Sequence, residues 1–241
     1  MNTTTDNLMQ TTGSVFGSFM AQVYGWMVVA LAITFGVAFG VEFLAERNEQ
    51  FYVAVSITAP FVLIGQLILV LVLGFLGRRM NAFLSGALFL FYAVTMGIFF
   101  GVIFLGFTTV SIVLVFGATT ITFIVMALFG FLTKQDLTSW GRLALFGIIG
   151  LIIGSLINIL FYFIAPGVAQ GIDYVLTYVG IGLFLILIAY DTQKLKKMAA
   201  SIGEGGVGMT GLAIQGALAL YLDFINLFIR LLGIMGKRKY P

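Results

Sequence analysis

Long apolar runs separated by short polar turns give this chain its rhythm, and the rhythm predicts its elements. Seven runs, roughly 20–41, 52–73, 82–105, 109–132, 142–164, 174–192 and 211–235, stand out in the sequence. A helix needs about 20 apolar residues to cross a hydrocarbon core about 30 Å thick, and each run meets that length. The turns between them leave no room for an extramembrane domain that would hold a nucleotide or a soluble substrate. Residues 1–19 are polar and contain no Lys or Arg. They read as a flexible tail, because a secretory signal wants a basic start ahead of its apolar core. Residues 20–236 then form a seven-helix transmembrane domain and 237–241 a short basic tail. The expected fold class is all-α, a polytopic membrane protein built as a bundle of seven transmembrane helices.

Polar residues inside the runs are few, and two matter most. The sixth and seventh runs each carry one aspartate, in GIGLFLILIAYDTQKLKK (Gly180–Lys197) and GALALYLDFINLFIRLLG (Gly216–Gly233). A carboxylate in such surroundings costs roughly 2.5–3.5 kcal/mol on insertion scales, which makes Asp191 and Asp223 functional candidates. If helix six stops at a Gly203 cap, Asp191 lies ~17 Å before that stop, and Asp223 lies ~21 Å beyond a start near Met209, at 1.5 Å per residue. The two carboxylates come out almost level across a helical hairpin. Two such groups need not ionise together, so the pair is a proton sensor in outline. They are also the residues best suited to touch a metal ion.

Helical spacing organises the remaining polar positions. In span seven Gln215, Ala219, Asp223, Asn226 and Arg230 form one stripe, the pattern of a helix inside a bundle or beside a water-filled path. Arg230 is there a direct or relayed partner for Asp223. Span five puts Gly147, Gly150, Gly154, Asn158 and Tyr162 on one face, expected to point inward. Span six does the same with Thr177, Gly180, Phe184, Leu187 and Asp191. Span two carries Pro60 and Gln66 and exits at Arg78 and Arg79, which either anchor the membrane surface or pair with Asp191. Three GxxxG pairs, Gly36/Gly40, Gly97/Gly101 and Gly150/Gly154, are candidates for close helix packing. Asp136 and Asp173 read as helix caps, and Glu42, Glu46 and Glu49 as a solvated turn.

Composition narrows the chemistry. Of 241 residues 61% are hydrophobic and 9% charged, and there is no Cys and no His. That removes a soluble globular chain, disulfides, thiolate nucleophiles, imidazole bases and nearly all zinc chemistry. A net charge of +3 reads as topology rather than as a nucleic-acid surface. With seven spans, the N-terminal side holds Arg78, Arg79, Lys134, Arg142, Lys194, Lys196 and Lys197, and the turns of the other side hold only Arg47. The positive-inside rule places the first side in the cytoplasm. Lys237, Arg238 and Lys239 are the exception. Either this tail runs against the rule or the last segment does not cross.

The segments AYDTQKLKKM (Ala189–Met198), YLDFINLFIRLL (Tyr221–Leu232) and MAQVYGWM (Met20–Met27) closely resemble the Bax inhibitor-1 family, and look most like its bacterial inner-membrane branch. The match runs from about residue 20 to the C-terminus. The resemblance implies a seven-helix fold with the last helix surrounded by the other six. It also implies a pH-sensitive calcium leak sensed by the two aspartates, with Arg79, or Arg78, latched to Asp191 in the closed state. Eukaryotic members are linked to suppression of cell death, and some bacterial members modulate a membrane protease.

The leading expectation is therefore a proton-gated cation leak with calcium as the ion. Asp191 and Asp223 carry the path and Asn226, Gln215, Arg230 and Asn158 line it. There is no resident cofactor, only transient calcium. The partners are the lipid bilayer, calcium and protons, with no nucleic acid. The alternatives are a regulatory protein that binds a partner such as a membrane protease, and a proton-coupled cation antiporter. An intramembrane aspartyl protease fits poorly, since Leu220-Tyr221-Leu222 stands where glycines are needed and the Pro-Ala-Leu element is absent. The chain is not expected to be an enzyme.

Overall fold

The structure, a computed structural model, describes residues 3–201 and 209–239, with side chains from residue 15 onward except that of Arg78. Seven helices occupy these residues: α1 Thr3–Ala45, α2 Glu49–Leu76, α3 Ala82–Phe104, α4 Thr109–Leu132, α5 Thr138–Ile164, α6 Pro166–Ser201 and α7 Met209–Met235. All seven are long and apolar enough to cross a membrane. The seven-helix membrane bundle expected from the apolar runs is the fold observed. The expected Gly203 cap lies outside the described residues.

Local chemistry sets several boundaries. The side chains of Asn48 and Asn81 cap α2 and α3 by accepting from the backbone N–H of Phe51 and Leu84, at 3.1 and 2.7 Å. A proline is preorganised for a first helical turn, and α6 begins at Pro166. This corrects the expected start near 174, where polar residues interrupt the apolar run without breaking the helix. Asp173 is therefore an exposed residue within α6 rather than its cap. Asp136 does act ahead of α5, accepting from the Thr138 hydroxyl at 2.8 Å. Helix α1 reaches back to Thr3, through the stretch that reads as a tail, and α2 continues through Pro60.

The chain divides into two compact units. The first gathers Met1–Thr109, Leu195–Tyr221 and Lys237–Pro241, the second Val110–Lys194 and Leu222–Gly236. In the first, α3 lies along α1 at its glycines. A Cβ on Gly97 would come within 2.7 Å of the Thr34 carbonyl oxygen, and one on Gly101 would meet Val41. Phe35, Phe100 and Phe104 fill the space beside them, with ring centroids 5.9–6.1 Å apart. The start of α7 packs here through Gly216 against Leu195 and Val23, and through Tyr221 edge-on to Phe89 and Tyr92. In the second unit, Gly130 of α4 and Gly141, Gly147 and Gly154 of α5 face α6. Phe116 and Phe123 of α4 meet Phe224 of α7.

No residue of α7 from 211 to 232 is exposed. Half of its most apolar 18-residue window is buried, against 17% in α2 and in α5. The last helix is thus the most buried of the seven, and α2 and α5 are the least. Only one of the three GxxxG pairs makes a helix contact at both positions, Gly97/Gly101. Gly36, Gly40 and Gly150 have nothing near them, while Gly154 meets Leu176. Tyr162, expected to point inward on the Gly150 face, is exposed.

The basic tail does not hang free. Thr108 N–H donates to the Lys237 carbonyl at 2.8 Å, Lys239 N–H donates to the Gly106 carbonyl at 3.0 Å, and Arg238 pairs with Phe107 as an antiparallel bridge. The Lys239 ammonium reaches Glu42 at 2.7 Å and Glu46 at 2.6 Å. Glu42 is buried in the last turn of α1, contrary to the expectation of a solvated acid, whereas Glu46 beyond it is half-exposed as expected and still pairs with Lys239. Since α1 and α3 both end beside this tail, α7 has returned to the end opposite its own start. The last segment crosses.

Candidate functional site

Asp191 stands ten residues before Ser201, and Asp223 fourteen residues after Met209. At 1.5 Å per residue these are distances of ~15 and ~21 Å along the two helices from those ends. The two carboxylates feel one another's charge within the second unit. Asp191 is half-buried, with the positive charge of Lys194 one turn away. Asp223 is only 5% exposed, and its Oδ2 has no hydrogen-bond partner. A carboxylate oxygen in that condition is costly to keep.

The segment of α6 around Asp191 is held on both sides. Before it, the Ala189 carbonyl sits directly against Gly130 of α4, and the Tyr190 ring lies on Gly141 of α5. Any side chain at either glycine would collide with these groups. After it, the buried Gln193 amide spans the α4–α5 turn: Nε2 donates to the Gln135 carbonyl at 2.8 Å, and Oε1 accepts from Leu137 N–H at 2.9 Å. Thr192 is fully buried, with its Oγ1 unpartnered. The expected inward face of α6 is observed, with Gly180, Phe184 and Leu187 buried in line with Asp191.

The polar stripe of α7 is present in register but does not act as one network. The Asn226 amide folds back onto its own helix, donating to the Leu222 carbonyl at 2.8 Å. Arg230 turns to α6, against the expectation that it serves Asp223: Nη1 donates to the Leu176 carbonyl at 2.9 Å, and the guanidinium faces the Phe184 ring at 5.6 Å. Gly180 makes room for it, since a Cβ there would strike the guanidinium. Seven residues of helix already separate Arg230 from Asp223, about 10 Å of rise. Gln215 packs in the first unit on Gly77, with its Nε2 unpartnered. Asn158 is buried with its Oδ1 unpartnered, and so is the Gln66 amide at both atoms. Arg79 is exposed in the 3-10 turn Gly77–Arg79 of the first unit, and the side chain of Arg78 lies outside the described residues.

Sequence reading missed Gln193 as a structural contact and the Lys239 pairs altogether. For Gln193 a signal existed, a long amide in an apolar helix two residues after an aspartate. For Lys239 there was none, because its partners are almost two hundred residues away. Among the described residues no group of three or more acids could hold a metal ion. Asp191 and Asp223 could supply at most four carboxylate oxygens, and calcium takes six to eight oxygen ligands.

The model of the family described as Inhibitor of apoptosis-promoting Bax1 matches residues 17–239. The chain belongs to the Bax inhibitor-1 family. An uncharacterized protein of Deinococcus radiodurans is 37% identical to it over 221 residues, covering 92% of this chain and 91% of the relative. The inner membrane protein YbhL of Escherichia coli K12 is 36% identical over 229 residues and covers 92% of each chain. An uncharacterized protein of Borreliella burgdorferi is 31% identical over 224 residues, again with 92% of each covered. Membership extends over the whole bundle, including both aspartate segments and the tail that carries Lys239.

Proposed function

We propose that this Bax inhibitor-1 protein is a pH-sensitive calcium leak of the inner membrane, with its N-terminus in the cytoplasm and Asp191 and Asp223 as its sensor. The observation that carries the reading is the pair itself: two carboxylates on consecutive transmembrane helices, in the same compact unit and within each other's field, one of them buried with an unpartnered oxygen. In a low dielectric, removing a proton from one such group raises the cost of removing it from the other. The pair thus has a small number of charge states, and each favours a different arrangement of its neighbours. In the charged state the pair holds the path closed. Protonation of Asp191 opens it and admits calcium, which passes the two carboxylates without being retained. No catalytic step is part of this reading. The relative YbhL, an inner membrane protein, supports the location.

The test is calcium entry into dye-loaded liposomes holding the purified protein, from about pH 5 to 8, the span over which paired carboxylates change charge. Wild type should conduct in a pH-dependent way and Asp191→Asn should conduct without that dependence. An Asp191→Asn profile that tracks wild type would remove the sensor. Absence of flux from folded protein at every pH would remove the leak and favour a partner-binding role. Uphill calcium movement driven by an imposed proton gradient would identify an antiporter instead.

A further inference from the structure

Asp191 projects from one side of α6, and a carboxylate that meets a cation works only if its helix is fixed in rotation and height. Glycine contacts provide part of that fixation. The Ala189 backbone touches α4 at Gly130, and Tyr190 covers Gly141 of α5. These are contacts of shape, and shape alone allows a helix to slide or roll by a fraction of an ångström. A hydrogen-bonded clip does not, because its partners are defined in both distance and direction.

We propose that Gln193 is a positioning residue for Asp191, clipping α6 to the α4–α5 turn and so fixing where the Asp191 carboxylate meets a passing cation. The inference rests on the leak reading for its functional consequence, though not for its geometry. Gln193 is 6% exposed and uses both ends of its amide, as donor to the Gln135 carbonyl and acceptor from Leu137 N–H. Both partners are main-chain groups of a turn, where the backbone has no helical partner of its own. The Leu137 N–H is one of the free donors that a helix start presents, and Leu137, as the N-cap residue of α5, makes no side-chain cap of its own. Gln193 therefore completes α5 at the same time as it orients α6. Two residues along a helix is about 200° of rotation. The clip thus faces nearly opposite to Asp191 and can hold the carboxylate toward the path without occupying it.

Gln193→Met keeps the length of the side chain and deletes both hydrogen bonds. Leu137→Pro deletes one partner and leaves Gln193 intact, at a backbone φ of −83° near the proline value. Two readouts are taken. The first is the calcium dependence of entry into liposomes at one acidic pH. Loss of the clip should raise the half-saturating calcium concentration by about tenfold or more, as loss of an outer-shell partner does to cation affinity, while the maximal rate stays near wild type. The second uses the absence of cysteine in the chain. Spin labels at Lys134→Cys and Lys194→Cys report the distance from the turn to α6, which should be narrow in the parent and broader in Gln193→Met.

An unchanged distance distribution would overturn the clip. A broadened distribution with unchanged half-saturation would show that the clip braces the bundle without positioning Asp191, and would overturn the inference as well. Should wild type conduct no calcium, the leak reading falls, and the label distance still decides whether Gln193 holds the helix. If Gln193→Met does not yield monodisperse helical protein, Leu137→Pro carries the same two readouts.

Discussion

Thr34 has a single hydroxyl proton, and the Ala93 carbonyl at 2.9 Å takes it. The Tyr221 hydroxyl 2.7 Å away must then be the donor to Thr34. Both side chains are fully buried, so removing one partner is not equivalent to removing the other. Tyr221→Phe deletes one hydrogen bond and should cost about 0.6 kcal/mol, at most about 1.7, as such bonds do in membranes. Thr34→Val strands the tyrosine hydroxyl in a dry core and should cost about 1–3 kcal/mol. Unfolding in mixed micelles measures both, and equal losses would mean the donor assignment is wrong. Lys239 gives a second unequal pair. Lys239→Ala leaves the buried Glu42 uncompensated, at about 1–3 kcal/mol, whereas Glu46→Gln removes a half-exposed partner, at about 0.2–1 kcal/mol. Partial burial alone would lower the Lys239 ammonium, but hydrogen bonds and charge from Glu42 and Glu46 outweigh it and hold it above the ordinary 10.5. A raised lysine contributes its full stability below the ordinary value and loses it as pH climbs through the folded one. The gap between wild type and Lys239→Ala should therefore be constant near neutrality and close only in strong alkali.

Among the helices, the glycines divide by what lies opposite them rather than by motif. Gly97 and Gly101 bring α3 onto the backbone of α1, and Gly130 brings α4 onto the Ala189 carbonyl of α6. Gly36 and Gly40 have the same spacing and face open space. Alanine removes about 1 kcal/mol of helix penalty wherever it fits. Gly36→Ala and Gly40→Ala should thus raise the melting temperature or leave it unchanged. Gly97→Ala and Gly130→Ala should lower it, because each new methyl would meet backbone that cannot move aside. A destabilised Gly36→Ala would show that α1 has a helix partner at that face. This division also marks how far the sequence was legible. The apolar runs gave the number of helices and the Asp191 face of α6, because both follow from composition and a 3.6-residue period. They did not separate a working GxxxG from an idle one, nor turn Arg230 toward α6, since spacing says which residues share a face and not what that face meets. The start of α6 was misplaced for a similar reason. Asp173 and Gly171 interrupt hydrophobicity, yet neither stops a helix begun by Pro166.

At the scale of the whole molecule, the tail settles the crossing that the basic residues left open. Because Lys237 and Lys239 bind the α3–α4 turn, and Lys239 the end of α1, they belong with Arg47 to the end of the bundle opposite the N-terminus. That end then carries four Lys or Arg residues, against the seven in the turns of the N-terminal side. The rule counts basic residues near the spans and gives acids little weight, so the bias is reduced by the tail without being reversed. In the proposed orientation the C-terminus emerges outside the cytoplasm. Alkaline phosphatase fused after Pro241 should be active and a green fluorescent protein fused there should be dark, while the same fluorescent protein ahead of Met1 should be bright. Replacing Lys237, Arg238 and Lys239 by Gln strengthens the bias to seven against one. It should therefore leave the fusion results unchanged while lowering thermal stability through loss of the Glu42 and Glu46 pairs. A bright C-terminal fusion would invert the molecule. On the proposed leak reading, the Asp191–Asp223 pair would then answer external rather than cytoplasmic acid.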